Sequence, residues 1–188
     1  MGFFSSKKEL EPSAEYICAE LSWDIFDNKA FDLDISAFLL NKNGKVCSDN
    51  DFVFYNNGFS DFGAVSYGGD NRTGEGDGAD ENIMIRLKKV PGEIEKIVLC
   101  VSVSDSNASY TFHNVKNACF KLNEVPSEYD KDGKVLASLD LTQSNASSAC
   151  LIACELTRSG NSWLLALPCE NVRGGLPELC ERFGLEVE

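Results

Sequence analysis

This sequence predicts an all-β fold, a two-sheet antiparallel β-sandwich with one or two short helices, and three observations predict it. From Tyr16 onward, short apolar runs alternate with Gly, Asn, Asp and Pro turn signals. The runs are rich in Val, Ile and Phe, and the unbroken one at 97–104 suits a central strand. Helical patterning is confined to 176–183, where Pro177 sits in the first turn and Gly184 is the stop. About nine or ten strands at this spacing fit two packed sheets, with a jelly roll and a closed barrel as the alternatives.

Residues 1–13 are polar and charged apart from Phe3 and Phe4, and read as a flexible N-terminal leader before a single domain at 14–188. A first strand spans 16–23. A second runs through 35–40 and turns at Asn43-Gly44 into 45–47, because Asn-Gly between apolar runs is the strongest short hairpin signal. Strands follow at 51–55, closed by Asn56-Asn57-Gly58, and at 83–87, closed by Pro91-Gly92. The Val-rich run 97–104 comes next, then 118–122 and 133–141 around the turn 130–133. A last hairpin joins 150–156 to 163–167 through Ser159-Gly160-Asn161.

The composition excludes several functions. With 188 residues, 43% of them hydrophobic and 12 Phe, the chain can build one sizeable core. Thirty acids against 17 bases, a net charge of −13, argue against a nucleic-acid partner. No apolar run approaches the roughly 20 residues of a membrane helix, so direct membrane insertion is not expected. The N-terminus lacks the hydrophobic stretch of a secretory signal, and Met1-Gly2-Phe3-Phe4-Ser5-Ser6 fits only a loose lipidation pattern. Eight cysteines occur without a CxxC pair, and Cys18, Cys100, Cys119, Cys150, Cys154 and Cys169 lie in apolar runs. Free thiols in a reducing cytoplasm account for them. Cys150 and Cys154 are expected on one face of a strand, too far apart along it to bridge. His113, the single histidine, reads as a loop residue with no nucleophile motif beside it.

The chemistry concentrates at 68–81, Gly68-Gly69-Asp70-Asn71-Arg72-Thr73-Gly74-Glu75-Gly76-Asp77-Gly78-Ala79-Asp80-Glu81. Five carboxylates stand here among five glycines with a single Arg. Carboxylates this crowded repel one another unless something neutralises them, and glycines let carbonyl oxygens turn inward. Asp32 and Asp34, two apart on one strand, project to the same side and raise the number of acids to seven. Asp24, at the end of the first strand, is the weakest candidate to join them. Seven carboxylates fit two divalent ions better than one, since each Ca2+ takes 6–8 oxygens.

Other readings of the loop fail on residue type. An EF-hand needs a ligand where Arg72 stands and a glycine where Glu75 stands. A phosphate-cradling loop needs a Lys and a helix start. Zinc and copper favour His and Cys, whereas magnesium stays open beside calcium.

The segments Leu21-Ser22-Trp23-Asp24, Phe31-Asp32-Leu33-Asp34-Ile35-Ser36-Ala37-Phe38, Asn43-Gly44-Lys45-Val46, 52–57, the acidic loop and Gly174-Gly175-Leu176 together resemble the TerD family of tellurium-resistance proteins. The resemblance covers nearly everything from about residue 15 onward, and the loop is its most specific part. It implies a calcium-binding β-sandwich holding two ions, with Asp24, Asp32, Asp34, Asp70, Asn71, Gly74, Glu75, Asp77, Asp80 and Glu81 as the ligand set. It also implies a non-enzymatic bacterial cytoplasmic stress protein tied to tellurite, colicin and phage resistance. Its expected partners are other stress-resistance proteins, membrane-associated ones included. The rival readings are a thiol- or metal-dependent enzyme acting on tellurite or related oxyanions, and a structural domain whose acidic loop is only a solvated turn.

Overall fold

A computed structural model describes residues 8–11, 13–24, 32–69, 71–74, 78–104, 110–143 and 147–186. Their strands, in chain order, are β1 (Lys8–Glu9), β2 (Tyr16–Asp24), β3 (Asp32–Asn41), β4 (Phe52–Val53), β5 (Val65–Tyr67) and β6 (Glu81–Arg86), then β7 (Ile94–Ser104), β8 (Lys116–Val125), β9 (Lys134–Asp140), β10 (Cys150–Ser159), β11 (Ser162–Ala166) and β12 (Glu170–Asn171). One helix, α1 (Gly175–Phe183), closes the chain. All pairings are antiparallel. The first sheet runs β1-β11-β10-β7-β3-β4 with β12 also on β10, and the second runs β5-β6-β2-β8-β9. This is the expected all-β architecture.

The main core lies between the sheets. Ile17, Leu21 and Trp23 from β2, Ile83 and Ile85 from β6 and Phe120 from β8 meet Leu33, Ile35, Leu39, Leu99 and Leu156. A second apolar cluster covers the outer face of the first sheet. Phe38, Val98, Cys100 and Ile152 lie there under Leu179, Cys180 and Phe183 of α1. Phe38 stacks on Phe52 with ring centroids 4.3 Å apart, and Phe183 tilts against it at 4.9 Å. Both faces of β3 and β7 are therefore buried, which explains why 97–104 reads as a continuous apolar run.

Three expectations are corrected. Lys8–Glu9 pairs with Leu164 and Leu165 of β11, and Leu10 is buried, so this part of the supposed leader is docked. The Asn43-Gly44 turn closes, with the Gly44 amide donating to the Asn41 carbonyl, but 45–47 forms no return strand. The Val46 amide instead donates to the Phe183 carbonyl after α1, and β4 takes the place beside β3. Short β1, β5 and β12 carry too few residues for a period-2 pattern to register. Finally, Cys150 and Cys154 do not share a face. A bulge between Ile152 and Cys154 turns Cys154 into the inter-sheet core while Cys150 stays under α1.

All eight cysteines are free; Cys18, Cys100, Cys150, Cys154 and Cys180 are buried, whereas Cys47 is exposed. His113 is exposed in a short 3-10 turn, Phe112–Asn114. Among the described residues, no helix is long and apolar enough to cross a membrane.

Candidate metal centre

The site arises where β3 loses a neighbour. β7 pairs with β3 from Asp32 to Asn41, but on the other side β4 reaches only Ala37 and Phe38. Among the described residues, 32–36 thus have no second strand partner, and the second sheet supplies what fills that edge. Glu81, the first residue of β6, is paired with Leu21 of β2 and is fully buried. Its Oε2 accepts a hydrogen bond from the Ile35 amide at 2.8 Å, satisfying a donor that would otherwise lack a ladder partner.

Asp32 and Asp34 flank that contact. Each of the three residues offers a carboxylate oxygen, and these oxygens all lie within 4.8 Å of one another. Leu33 and Ile35, between and beside them, point into the core, as the period-2 reading expects. Asp34 is only 6% exposed and Asp32 is half-buried, so the pair is no fully solvated strand face.

The electrostatics of the cluster disfavour a charged Glu81, even with Arg72 lining the hollow over Asp32 and Asp34. Burial pushes the Glu81 carboxyl up to about 8, against the opposing pull of the Tyr67 hydroxyl and the Ile35 amide, and the charges of Asp34 and Asp32 push it further up. The second oxygen, Oε1, is buried and makes no hydrogen bond of normal geometry, although the Tyr67 hydroxyl lies close enough to lower the Glu81 pKa. A buried carboxylate oxygen left in that state costs free energy that a cation would recover. The donor set is made of oxygen alone, drawn from three acids on two sheets. It fits a hard divalent cation, and Ca2+ is the one that accepts irregular, carboxylate-rich shells.

The other expected ligands fall into separate places. Asp80, next to Glu81 in sequence, faces the β2 side: its Oδ2 accepts from the Trp23 amide at 2.9 Å and its Oδ1 from Asn71 Nδ2 at 2.7 Å. Burial raises the Asp80 pKa, and the nearby Asp24 charge adds to the rise. Asp24 itself is exposed and accepts from Asn117 Nδ2 at 2.6 Å. Asn71 turns its Oδ1 back onto the amides of Thr73 and Gly74, at 3.0 and 3.2 Å, which shapes the loop entry. Gly74 is buried at a φ of +68, and a Cβ there would stand 2.5 Å from the Trp23 ring. Its glycine identity thus has a packing reason as well as a backbone one. Asp70, Glu75 and Asp77 lie outside the described residues. Sequence reasoning missed Tyr67, which eases the charge on Glu81, because β5 is three residues long and leaves no period to detect.

Known proteins share this fold and sequence. The TerD domain family model matches residues 5–183. The tellurium resistance protein TerD of Serratia marcescens is 38% identical, over 97% of this chain and 94% of its own. General stress protein 16U of Bacillus subtilis is 36% identical, over 94% of this chain and 91% of its own. Among solved structures, a homologue of telluride resistance protein (TerD) from Streptomyces coelicolor A3(2) superposes with a TM-score of 0.73. It is 20% identical, over 89% of this chain and 95% of that one, which speaks for the fold alone.

Proposed function

The chain belongs to the TerD family, and on that premise we propose that it is a calcium-binding, non-enzymatic module of a bacterial stress-response assembly. The observation that carries the reading is the Asp32–Asp34–Glu81 cluster, with three carboxylates from two sheets and a buried Glu81 oxygen without a hydrogen bond of normal geometry. Asp32 and Asp34 give the ion a rigid edge on β3, while Glu81 ties the second sheet to it. A cation there supplies the positive charge that burial of these acids lacks. Two ions remain the expected number. The second would draw on Asp80 and on Asp24, whose charge adds to the rise in the Asp80 pKa.

Several observations support binding rather than turnover. Burial pushes the Cys18 and Cys150 thiols up to about 12 and raises Cys100 and Cys154 as well. Thiols so protonated are poor nucleophiles, which weakens the case for a cysteine-based detoxifying enzyme. The eight free cysteines fit a reducing cytoplasm. The relatives named for tellurium resistance and general stress suggest the physiological setting; other resistance proteins are its expected partners.

Thermal unfolding with calcium and with excess chelator tests the reading. Calcium at 100-fold its dissociation constant should add about 2.7 kcal/mol of stability. Equal melting temperatures, together with metal-free protein by native mass spectrometry after calcium exposure, would sink it.

A further inference from the structure

A hollow of about 380 Å³ lies on the second sheet, and no residue of the Asp32–Asp34–Glu81 cluster lines it. Ala19, Leu21, Phe120 and Leu122 face the core, so Glu20 and Ser22 of β2 and Cys119 and Lys121 of β8 point outward and form its floor. Gly78 and Ala79 supply one wall, Lys131 and Asp132 another. The second wall is held against the sheet. Asn123 Nδ2 donates to the Lys131 carbonyl at 3.5 Å, and Gly133 lies so close to β8 that a Cβ there would overlap the Glu124 carbonyl oxygen.

Four charged groups ring this hollow, the carboxylates of Glu20 and Asp132 and the ammonium groups of Lys121 and Lys131. Among the described residues none of the four is in an ion pair. Glu20 and Lys121 stand directly opposite each other on the β2–β8 ladder, where opposite charges ordinarily meet. Glu20 instead accepts from Asn123 Nδ2 at 2.9 Å, and Asn123 is itself only 4% exposed, so the carboxylate is held by the fold rather than by a cation. Burial raises the Glu20 carboxyl, with the Asn123 bond and the Lys121 charge pulling the other way. A half-buried carboxylate short of a counter-charge thus shares one cavity with two uncommitted ammonium groups.

Charge decides what fits. A dianion meets the repulsion of two carboxylates, and a simple cation that of two ammonium groups. A ligand with one charge of each sign a few ångströms apart satisfies both sets, and takes up the charges that the protein leaves unpaired. The volume stands at the small end of ligand pockets, which run from about 300 to 1,000 Å³, so the ligand is compact. We propose that this hollow binds a small zwitterion of the α-amino-acid type, its ammonium group against Glu20 and Asp132 and its carboxylate against Lys121 and Lys131. The Ser22 hydroxyl lies on the same floor and donates to the ligand carboxylate.

NMR titration of the isotope-labelled full chain at pH 7 tests this with three probes. L-alanine carries both charges, propionate lacks the ammonium group, and ethylamine lacks the carboxylate. Alanine should shift the amides of 20–22, 119–121 and 131–132 and bind about tenfold or more tighter than either fragment. Glu20→Gln should weaken alanine about tenfold while sparing propionate, and Lys121→Met should weaken both. Melting temperatures of the two variants report that the fold is intact, and Asp132→Asn, at an exposed loop position, repeats the Glu20 test should Glu20→Gln fail to fold. A preference for alanine below tenfold overturns the proposal and leaves a simple ion-exchange surface. Shifts confined to other amides, no shifts at a large excess of alanine, or unweakened binding by the variants overturn it equally.

Discussion

Strand β3 has two halves that share an outer face and do opposite things with it. Toward its C-terminal end, Phe38 and Leu40 lie in a closed apolar cluster, stacked against Phe52 and capped by α1. Toward its start, Asp32 and Asp34 occupy the same face of the same strand beside a groove. What separates them is the length of the neighbour. β4 covers only Ala37 and Phe38, so the second half is finished by backbone and helix, and the first by a single carboxylate from the other sheet. A fully partnered strand gains stability; a half-partnered one gains a site. The acids are held by the packing of their neighbours Leu33 and Ile35, so they are placed without needing to contribute to the core themselves.

This contrast can be broken from either half. Phe38→Ala should cost about 3–5 kcal/mol, the range for removing a buried phenyl ring. Its chemical denaturation midpoint should fall while the gap between calcium and chelator curves stays as in the unsubstituted protein. A lost gap would mean that the two halves are mechanically one. Glu81→Gln strikes the other half and should act in two directions. Without ions at pH 9 it should raise stability by about 1–3 kcal/mol, since a buried charge with a poorly bonded oxygen is replaced by a neutral amide of the same shape. With calcium it should lose the stabilising increment.

The same residue sets a pH dependence. The folded Glu81 carboxyl is held at about 8 against an ordinary 4.5. Between those values the folded state keeps a proton that the unfolded chain has lost, so ion-free stability should fall as pH rises through that window. Melts in chelator from pH 5 to pH 8.5 measure it, and Glu81→Gln should flatten the slope. A smaller effect is expected from Asp34→Asn, which should lower calcium affinity by tenfold or more, about 1.4 kcal/mol. Its ion-free stability should move by less than about 1 kcal/mol, because Asp34 gives up a repulsion without opening the core.

How much of this was legible in the sequence depended on the length of the signal. Long strands such as β3, β7 and β10, ten or eleven residues each, announce themselves through the shorter apolar runs inside them. The helix is marked at both ends, and Gly184 takes the left-handed φ of 93 that its role as a stop demands. Asp32 and Asp34 were placed on one side by strand periodicity alone. What periodicity cannot carry is any event that depends on a partner. The bulge that separates Cys150 from Cys154 belongs to the β7–β10 pairing, and nothing in the local residues marks it. Asp80 and Glu81 are adjacent acids, yet one turns to the Trp23 amide and the other to the Ile35 amide. Adjacent residues on a strand face opposite ways, so counting acids overstates how many can converge on one point.

The hydrogen bond from Ile35 to Glu81 has a last consequence. An open strand edge is a template on which a stray chain can add and continue to add, the route by which sheet proteins grow into fibrils. Many proteins guard such edges with a lysine or a proline. Here the guard is an acid reaching across from the facing layer, onto the stretch 32–36 that has no second strand partner among the described residues. Removing the side chain in Glu81→Ala would leave that amide available to another molecule. Glu81→Ala should therefore raise the tendency of copies to associate edge to edge, seen as increased light scattering on incubation.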